Sequence, residues 1–139
     1  MMKAVIDTSV FVSMLLSSRG TGAWLIALWK EKRFELVVSP ALLEELITVL
    51  ERPNIRARLN PQRSLALLRR LRDDANWVEG NSAASGLADE KDDFLLAAAL
   101  ESGVTFIVTW DHRLLDQAMC QGVRMINPDQ FTSLIVRMI

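Results

Sequence analysis

Three short runs constrain this chain most. KAVI at 3–6, ELVV at 35–38 and TFIVT at 105–109 are near-continuously apolar instead of alternating. A strand with one wet face alternates polar and apolar side chains. A strand apolar throughout is covered on both faces, the usual state of a strand in a parallel sheet. Between these runs the pattern changes to helical spacing. A helix is predicted over 9–17, and another over 21–32, where Trp24, Leu25, Leu28 and Trp29 share a face. Ser39 is placed to cap a helix that Pro40 opens and Pro53 stops. Residues 63–75 read as a helix with Leu65, Leu68, Leu71 and Ala75 on one side. Trp77-Val78 reads as a short strand, and the small, polar stretch 80–88 as a loop. Asp92–Ser102 is expected to be helical and to end at Gly103. Asp111–Gln121 is expected to be helical up to Gly122, followed by a strand at Arg124–Ile126 and a last helix over Pro128–Met138. Strands that alternate with helices pair in parallel through right-handed crossovers. The expectation is an α/β fold, a parallel sheet with helices on both faces, as one domain spanning 1–139.

The chain's 139 residues suffice for a real core. No apolar run approaches the ~20 residues needed to cross a bilayer. The N-terminal apolar stretch is short and broken by Asp7, unlike a signal peptide. These features predict a cytoplasmic protein with no membrane partner. The single cysteine, Cys120, excludes an internal disulfide and a cysteine-built zinc site, and it reads as a small buried side chain. A net charge of −1 does not announce a nucleic-acid binder, yet the charges are segregated. Seven arginines fall between 52 and 72: Arg52, Arg56, Arg58, Arg63, Arg69, Arg70 and Arg72. The acids gather at Glu44–Glu45 and Asp89–Asp93. Such a split would let a phosphate backbone lie along one surface while acids hold a metal on another. The arginines equally suit a solvated helical face or an acidic partner.

In an open parallel sheet, ligands bind outside the carboxyl ends of the strands. Four segments bring acids to that edge: Asp7 after the first strand, Glu45 in the helix after the second, Asp89, Asp92 and Asp93 around a helix start, and Asp111 after TFIVT. Crowded carboxylates repel in a partly dry site, and some must protonate unless a cation joins them. Mg²⁺ or Mn²⁺, hard ions that prefer oxygen, would turn that repulsion into coordination. The reaction that fits best is phosphodiester hydrolysis. Each acid also has a plainer role. Asp7, Asp89, Asp92, Asp93 and Asp111 all stand where an acid can cap a helix or complement its dipole. Periodicity hardly separates Glu45 from Glu44, since the inner side is set by Leu42, Leu43, Leu46, Ile47, Val49 and Leu50. The weight lies in the coincidence of four segments.

These pieces resemble the PIN-domain family of nucleases: VIDTSVFVSMLL, ELVVSPALLEEL, DEKDDFLLAAALESG, TFIVTWDHRLL and RMINPDQF, in that order across nearly the whole chain. The likeness is greatest to short bacterial members that act as toxins of toxin–antitoxin pairs. The resemblance implies a three-layer α/β/α sandwich and Mg²⁺- or Mn²⁺-dependent cleavage of RNA. It assigns metal ligation to Asp7, Glu45, Asp92 and Asp111, with Asp89 and Asp93 accompanying them. Thr8, Ser9 and Thr109 become supporting hydroxyl donors. It further implies a homodimer and a small antitoxin as partners. The segregated charge makes Arg52, Arg56, Arg58, Arg63, Arg69 and Arg70 the candidate RNA track. Two positions depart from the family pattern. Ser9 stands where asparagine is common and could loosen Asp7; Trp110 stands where a small residue is frequent and could narrow access to Asp111 or contact substrate. Two other functions compete. An aspartyl-phosphate phosphatase would want a second Asp two residues after Asp7, where Ser9 stands. A catalytically weak nuclease fold that only binds RNA or protein would fit the two departures. His112 reads as a surface residue, and Trp24 and Trp29 as core or dimer contacts.

Overall fold

The computed structural model describes residues 1–137. Strand β1 (Lys3–Ile6) lies between β2 (Glu35–Val38) and β4 (Phe106–Val108), parallel to both, with Val5 opposite Val37 on one side and Ile107 on the other. Being central, it is the most covered strand, and Ala4, Val5 and Ile6 are wholly buried. β3 (Asn76–Trp77) extends the sheet beyond β2, and β6 (Val123–Ile126) extends it beyond β4. The edge strand β5 (Met119–Cys120) completes the order β3-β2-β1-β4-β6-β5. Helices cover the sheet in an α/β/α arrangement, as the apolar strands require.

Helix α1 (Thr8–Leu16) leaves β1 directly, and α2 (Thr21–Lys30) turns from it by 102°. Gly22 makes that turn possible, because a Cβ there would stand 3.2 Å from the Met14 backbone. α3 (Pro40–Leu50) follows β2 and is capped by Ser39, whose buried hydroxyl accepts from the Leu42 N–H at 3.3 Å. α4 (Pro53–Arg56) is a single turn, and α5 (Pro61–Asp74) leads to β3. A 3₁₀ turn (Glu90–Asp92) runs into α6 (Asp93–Ser102), which ends at Gly103 with φ of +71°. α6 packs across β1, β2 and β4. α7 (His112–Gln117) follows β4, and α8 (Pro128–Arg137) packs on α2, where Phe131 meets Phe34 edge-on at 5.1 Å. Among the described residues no single helix is long and apolar enough to cross a membrane.

Several expectations need correction. The helix expected over Asp111–Gln121 stops at Gln117, because Ala118 takes a positive φ of +68° and turns the chain into β5. β5 then pairs antiparallel with β6, so the sheet is not wholly parallel. α5 starts earlier than expected, where Asn60 Oδ1 accepts from the Gln62 and Arg63 N–H groups ahead of Pro61. Its inner face is built on Leu67 and Leu71; Leu65, expected inside, is 48% exposed. Ile47 on α3 is also exposed, and so is Trp24, whereas Trp29 is core. The expected helix end at Met138 lies outside the described residues.

The corrected face of α5 has an energetic consequence. Leu71→Ala should lower unfolding stability by about 2–5 kcal/mol through the cavity it leaves. Leu65→Ala should change it by no more than about 0.5 kcal/mol. Urea denaturation followed by circular dichroism distinguishes the two.

Candidate active site

After β1 the chain builds the sheet outward through β2 and β3, then crosses to place β4 on the other side of β1. The carboxyl ends of β1 and β4 therefore form the switch point at which the connections diverge, the place where such sheets bind ligands. Asp7 follows β1 there, and Thr109 follows β4. The Asp7 N–H donates to Val108 O at 2.9 Å, and the Thr109 N–H to Ile126 O at 3.0 Å, so the ladder continues through both residues. α6 runs back across the sheet from the same edge and presents its N-terminal acids to it.

Asp7 is only 8% exposed. It stands at the N-cap of α1, yet its side chain makes no capping hydrogen bond. Its carboxylate instead accepts three hydroxyls: Thr8 Oγ1 on Oδ1 at 3.3 Å, Ser9 Oγ on Oδ2 at 3.3 Å and Thr109 Oγ1 on Oδ2 at 2.7 Å. The Thr109 hydroxyl also accepts the Asp111 N–H at 3.0 Å, which ties the two acids together through one oxygen. Ser9 is engaged twice as well, since its Oγ also accepts the Trp110 N–H at 3.3 Å.

The other acids divide by what their oxygens already do. Asp111 caps α7, with Oδ1 accepting the Arg113 N–H at 2.9 Å. Asp89 caps the 3₁₀ turn, with Oδ1 accepting the Lys91 N–H at 3.0 Å. The plainer reading of these two as caps is therefore correct for one oxygen of each. Asp92 makes no capping bond although it stands at the N-cap of α6. Burial, and then the negative charges of Asp7, Asp111 and Asp89, push its carboxyl up to about 6 from an ordinary 3.8. Asp89 moves the other way, held low first by the Lys91 N–H and then by Arg113. Asp93 Oδ1 is buried and has no hydrogen-bond partner among the described residues. The edge thus offers hard oxygen donors, one of them orphaned and one reluctant to ionise, and this donor set fits a divalent cation. Among the described residues, no three acids already stand at the spacing of a finished coordination shell.

Glu45 is half-buried and Glu44 exposed, so α3 turns Glu45 inward. Among the described residues no hydrogen bond or ion pair engages the Glu45 carboxylate, and it is not among the charges that raise Asp92. Of the arginines, Arg63 donates to Met14 O and Leu15 O and closes the end of α1, while Arg70 pairs with Asp74 and Arg72 with Asp73. Arg52, Arg56, Arg58 and Arg69 are exposed, with no ion pair among the described residues. The 11-residue α3 is roughly 16 Å long, and Arg52 and Arg56 follow its far end. Trp110 is half-buried, packs on the core and donates its indole N–H to Ser13 Oγ at 3.4 Å, so its bulk braces α1. His112 is exposed. Sequence reasoning missed Arg113, whose Nη2 lies 3.4 Å from Asp89 Oδ2 and 3.4 Å from Asp111 Oδ2. The Asp–His–Arg spacing of residues 111–113 could have signalled its contact with Asp111, but not the one with Asp89. It also missed Glu101, whose carboxylate accepts the N–H groups of Glu79, Gly80 and Asn81 and fixes the start of the loop over 80–88.

The fold and its edge define a class: a doubly covered α/β sheet with acidic side chains gathered at the switch point. The chain belongs to the PIN domain family, whose model matches residues 3–113. PIN domains are generally nucleases and typically use divalent metal ions. The crystal structure of PAE2754 from Pyrobaculum aerophilum superposes with a TM-score of 0.58 at 15% identity, covering 98% of this chain and 90% of that one. At that identity the likeness is one of fold. No curated protein matches the chain in sequence.

The geometry yields two expectations. Thr109→Val removes the shortest hydrogen bond to the buried Asp7 carboxylate and should cost about 1.5–3 kcal/mol in urea denaturation. Asp92 gives a pH signature. Its folded-state pKa is raised to about 6, so from about pH 4 to 6 the folded protein holds a proton that the unfolded chain has released. Stability of the metal-free protein therefore falls as pH rises through that window. A rise of that size corresponds to about 3 kcal/mol in a dry site, reduced to on the order of 1 kcal/mol at half-buried Asp92. In EDTA, Asp92→Asn should raise the melting temperature at pH 7 and lose this advantage below about pH 4.

Proposed function

We propose that this PIN domain is a metal-dependent ribonuclease, the toxin component of a toxin–antitoxin pair. Asp7, Glu45, Asp92 and Asp111 would hold Mg²⁺ or Mn²⁺, with Asp89 and Asp93 beside them. The observation that carries the reading is the state of Asp7 and Asp92. Both stand at helix N-termini, neither caps its helix, and the charge of Asp7 opposes ionisation of Asp92. Carboxylates left unspent and mutually repelling at a switch point favour a cation as their missing partner.

When bound, such an ion supplies Lewis acidity to a phosphodiester and makes water acidic enough to attack near neutral pH. The protein's own part is positioning. Thr8, Ser9 and Thr109 hold the Asp7 carboxylate against rotation, and Thr109 relates it to Asp111. Ser9 performs this although asparagine is common in the family, so the departure does not leave Asp7 loose. Exposed Arg52, Arg56, Arg58 and Arg69 would meet the RNA backbone, while the ties of Arg63 and Arg70 favour a structural part for those two. The toxin role, the antitoxin partner and a homodimer are supported by the family resemblance and by apolar side chains left exposed at Ile47 and Leu65.

The test is cleavage of single-stranded RNA by the purified protein with Mn²⁺ or Mg²⁺. Asp7→Asn should lower the rate by about 100-fold or more, the scale for losing one charge-stabilising group, while circular dichroism stays unchanged. No cleavage by the wild-type protein with either ion would overturn the enzyme reading. RNA retention that ignores EDTA would then favour a binding module, a reading motivated by the two oxygens that Arg113 already occupies.

A further inference from the structure

Asp89 and Asp111 each give Oδ1 to a backbone N–H as a helix or turn cap, which leaves one oxygen apiece for anything else. Both remaining oxygens, Asp89 Oδ2 and Asp111 Oδ2, accept from the same nitrogen, Arg113 Nη2, at 3.4 Å each. One guanidinium thus takes up the atoms that the caps leave over, and they are the atoms a metal would need from these two acids. Resting on the nuclease reading above, we propose that Arg113 is a built-in counter-ion of the acidic edge, which balances Asp89 and Asp111 in the metal-free protein and gives up Asp111 when a divalent ion binds.

The link is built to be exchanged. Both contacts are long, one nitrogen is shared instead of two being offered in a fork, and the Arg113 side chain is 62% exposed. Pairs of this kind contribute little in water. A divalent ion carries twice the charge and approaches carboxylate oxygens far more closely than 3.4 Å. The arginine sits two residues from Asp111, so once displaced it stays tethered at the edge. There its planar, permanently charged group suits a phosphate oxygen better than a point charge would. Arg113 is in this sense a positioning residue that sets metal affinity and then favours an anionic substrate.

The readout is Mn²⁺ affinity of the full chain measured by titration calorimetry without RNA. Arg113→Gln keeps much of the side-chain bulk and removes the charge. It should bind Mn²⁺ about three- to tenfold more tightly than the wild-type protein. It should also melt at a lower temperature than the wild-type protein in EDTA at pH 7, with saturating Mn²⁺ closing the difference. Arg113→Lys should remain near wild-type affinity. Arg124→Gln, an exposed cation near the start of β6, controls for loss of net charge and should leave affinity within about twofold. Unchanged or weaker Mn²⁺ binding in Arg113→Gln, or an equal gain in Arg124→Gln, overturns the counter-ion role alone. Absence of Mn²⁺ binding in both wild-type and variant proteins overturns it together with the nuclease reading.

Discussion

The buried hydrogen bond from Thr109 Oγ1 to Asp7 Oδ2, 2.7 Å long, couples the ends of the two central strands. Burying a carboxylate at the end of an otherwise apolar strand is costly unless its charge is met by donors or cations. Here three hydroxyls meet it, from Thr8 and Ser9 on its own helix and Thr109 on the neighbouring strand. Because Thr109 also receives the Asp111 N–H, the two acids hold a common register set by β1 and β4. The helices can cover the sheet without loosening that register, since the ladder itself runs on through Asp7 and Thr109. Rigid placement of acids by strands, not by loops, is what a precise ligand site requires.

The acidic edge is a balance between two uses of the same residue type. Helix N-termini welcome carboxylates, and Asp89 and Asp111 accept that role with one oxygen each. Asp7 and Asp92 make no capping bond, so the edge is not simply a row of caps. The separation shows in the opposite directions in which Asp89 and Asp92 shift. Donor N–H groups and Arg113 stabilise the charge of the first. Burial and like charges oppose the charge of the second.

Much of this fold was legible in the sequence because its strands are covered on both faces. KAVI and ELVV coincide with β1 and β2 residue for residue, and the Ser39-Pro40 and Gly103 signals mark real helix ends. What failed was set by tertiary context. Nothing local in Ala118 announces a positive φ, so the antiparallel β5 was hidden inside an apparent helix. The faces of α3 and α5 were misjudged at Ile47 and Leu65 because leucine-rich helices offer more than one apolar stripe, and only the neighbours choose. At the edge, the positions of Asp7, Asp92 and Asp111 followed from topology. The hydroxyl of Thr109 was anticipated from family resemblance, but its double engagement was not. Arg113 escaped because a residue's pairing across 24 positions, to Asp89, leaves no periodic trace.

The segregation of charge takes on a different meaning once the helices are placed. The arginines from 52 to 72 differ in what already engages them. Three are committed within the fold: Arg63 to the end of α1, Arg70 to Asp74 and Arg72 to Asp73. Arg52, Arg56, Arg58 and Arg69 are exposed and make no ion pair among the described residues. The cation nearest the acids is Arg113, which the sequence places among them. A phosphate backbone approaching this protein would therefore meet two separate electropositive features. A diffuse one on α4 and α5 provides attraction that weakens with salt. The other is Arg113 at the acidic edge, near Lys91, where its charge is met by Asp89 and Asp111 and would be released by a divalent ion.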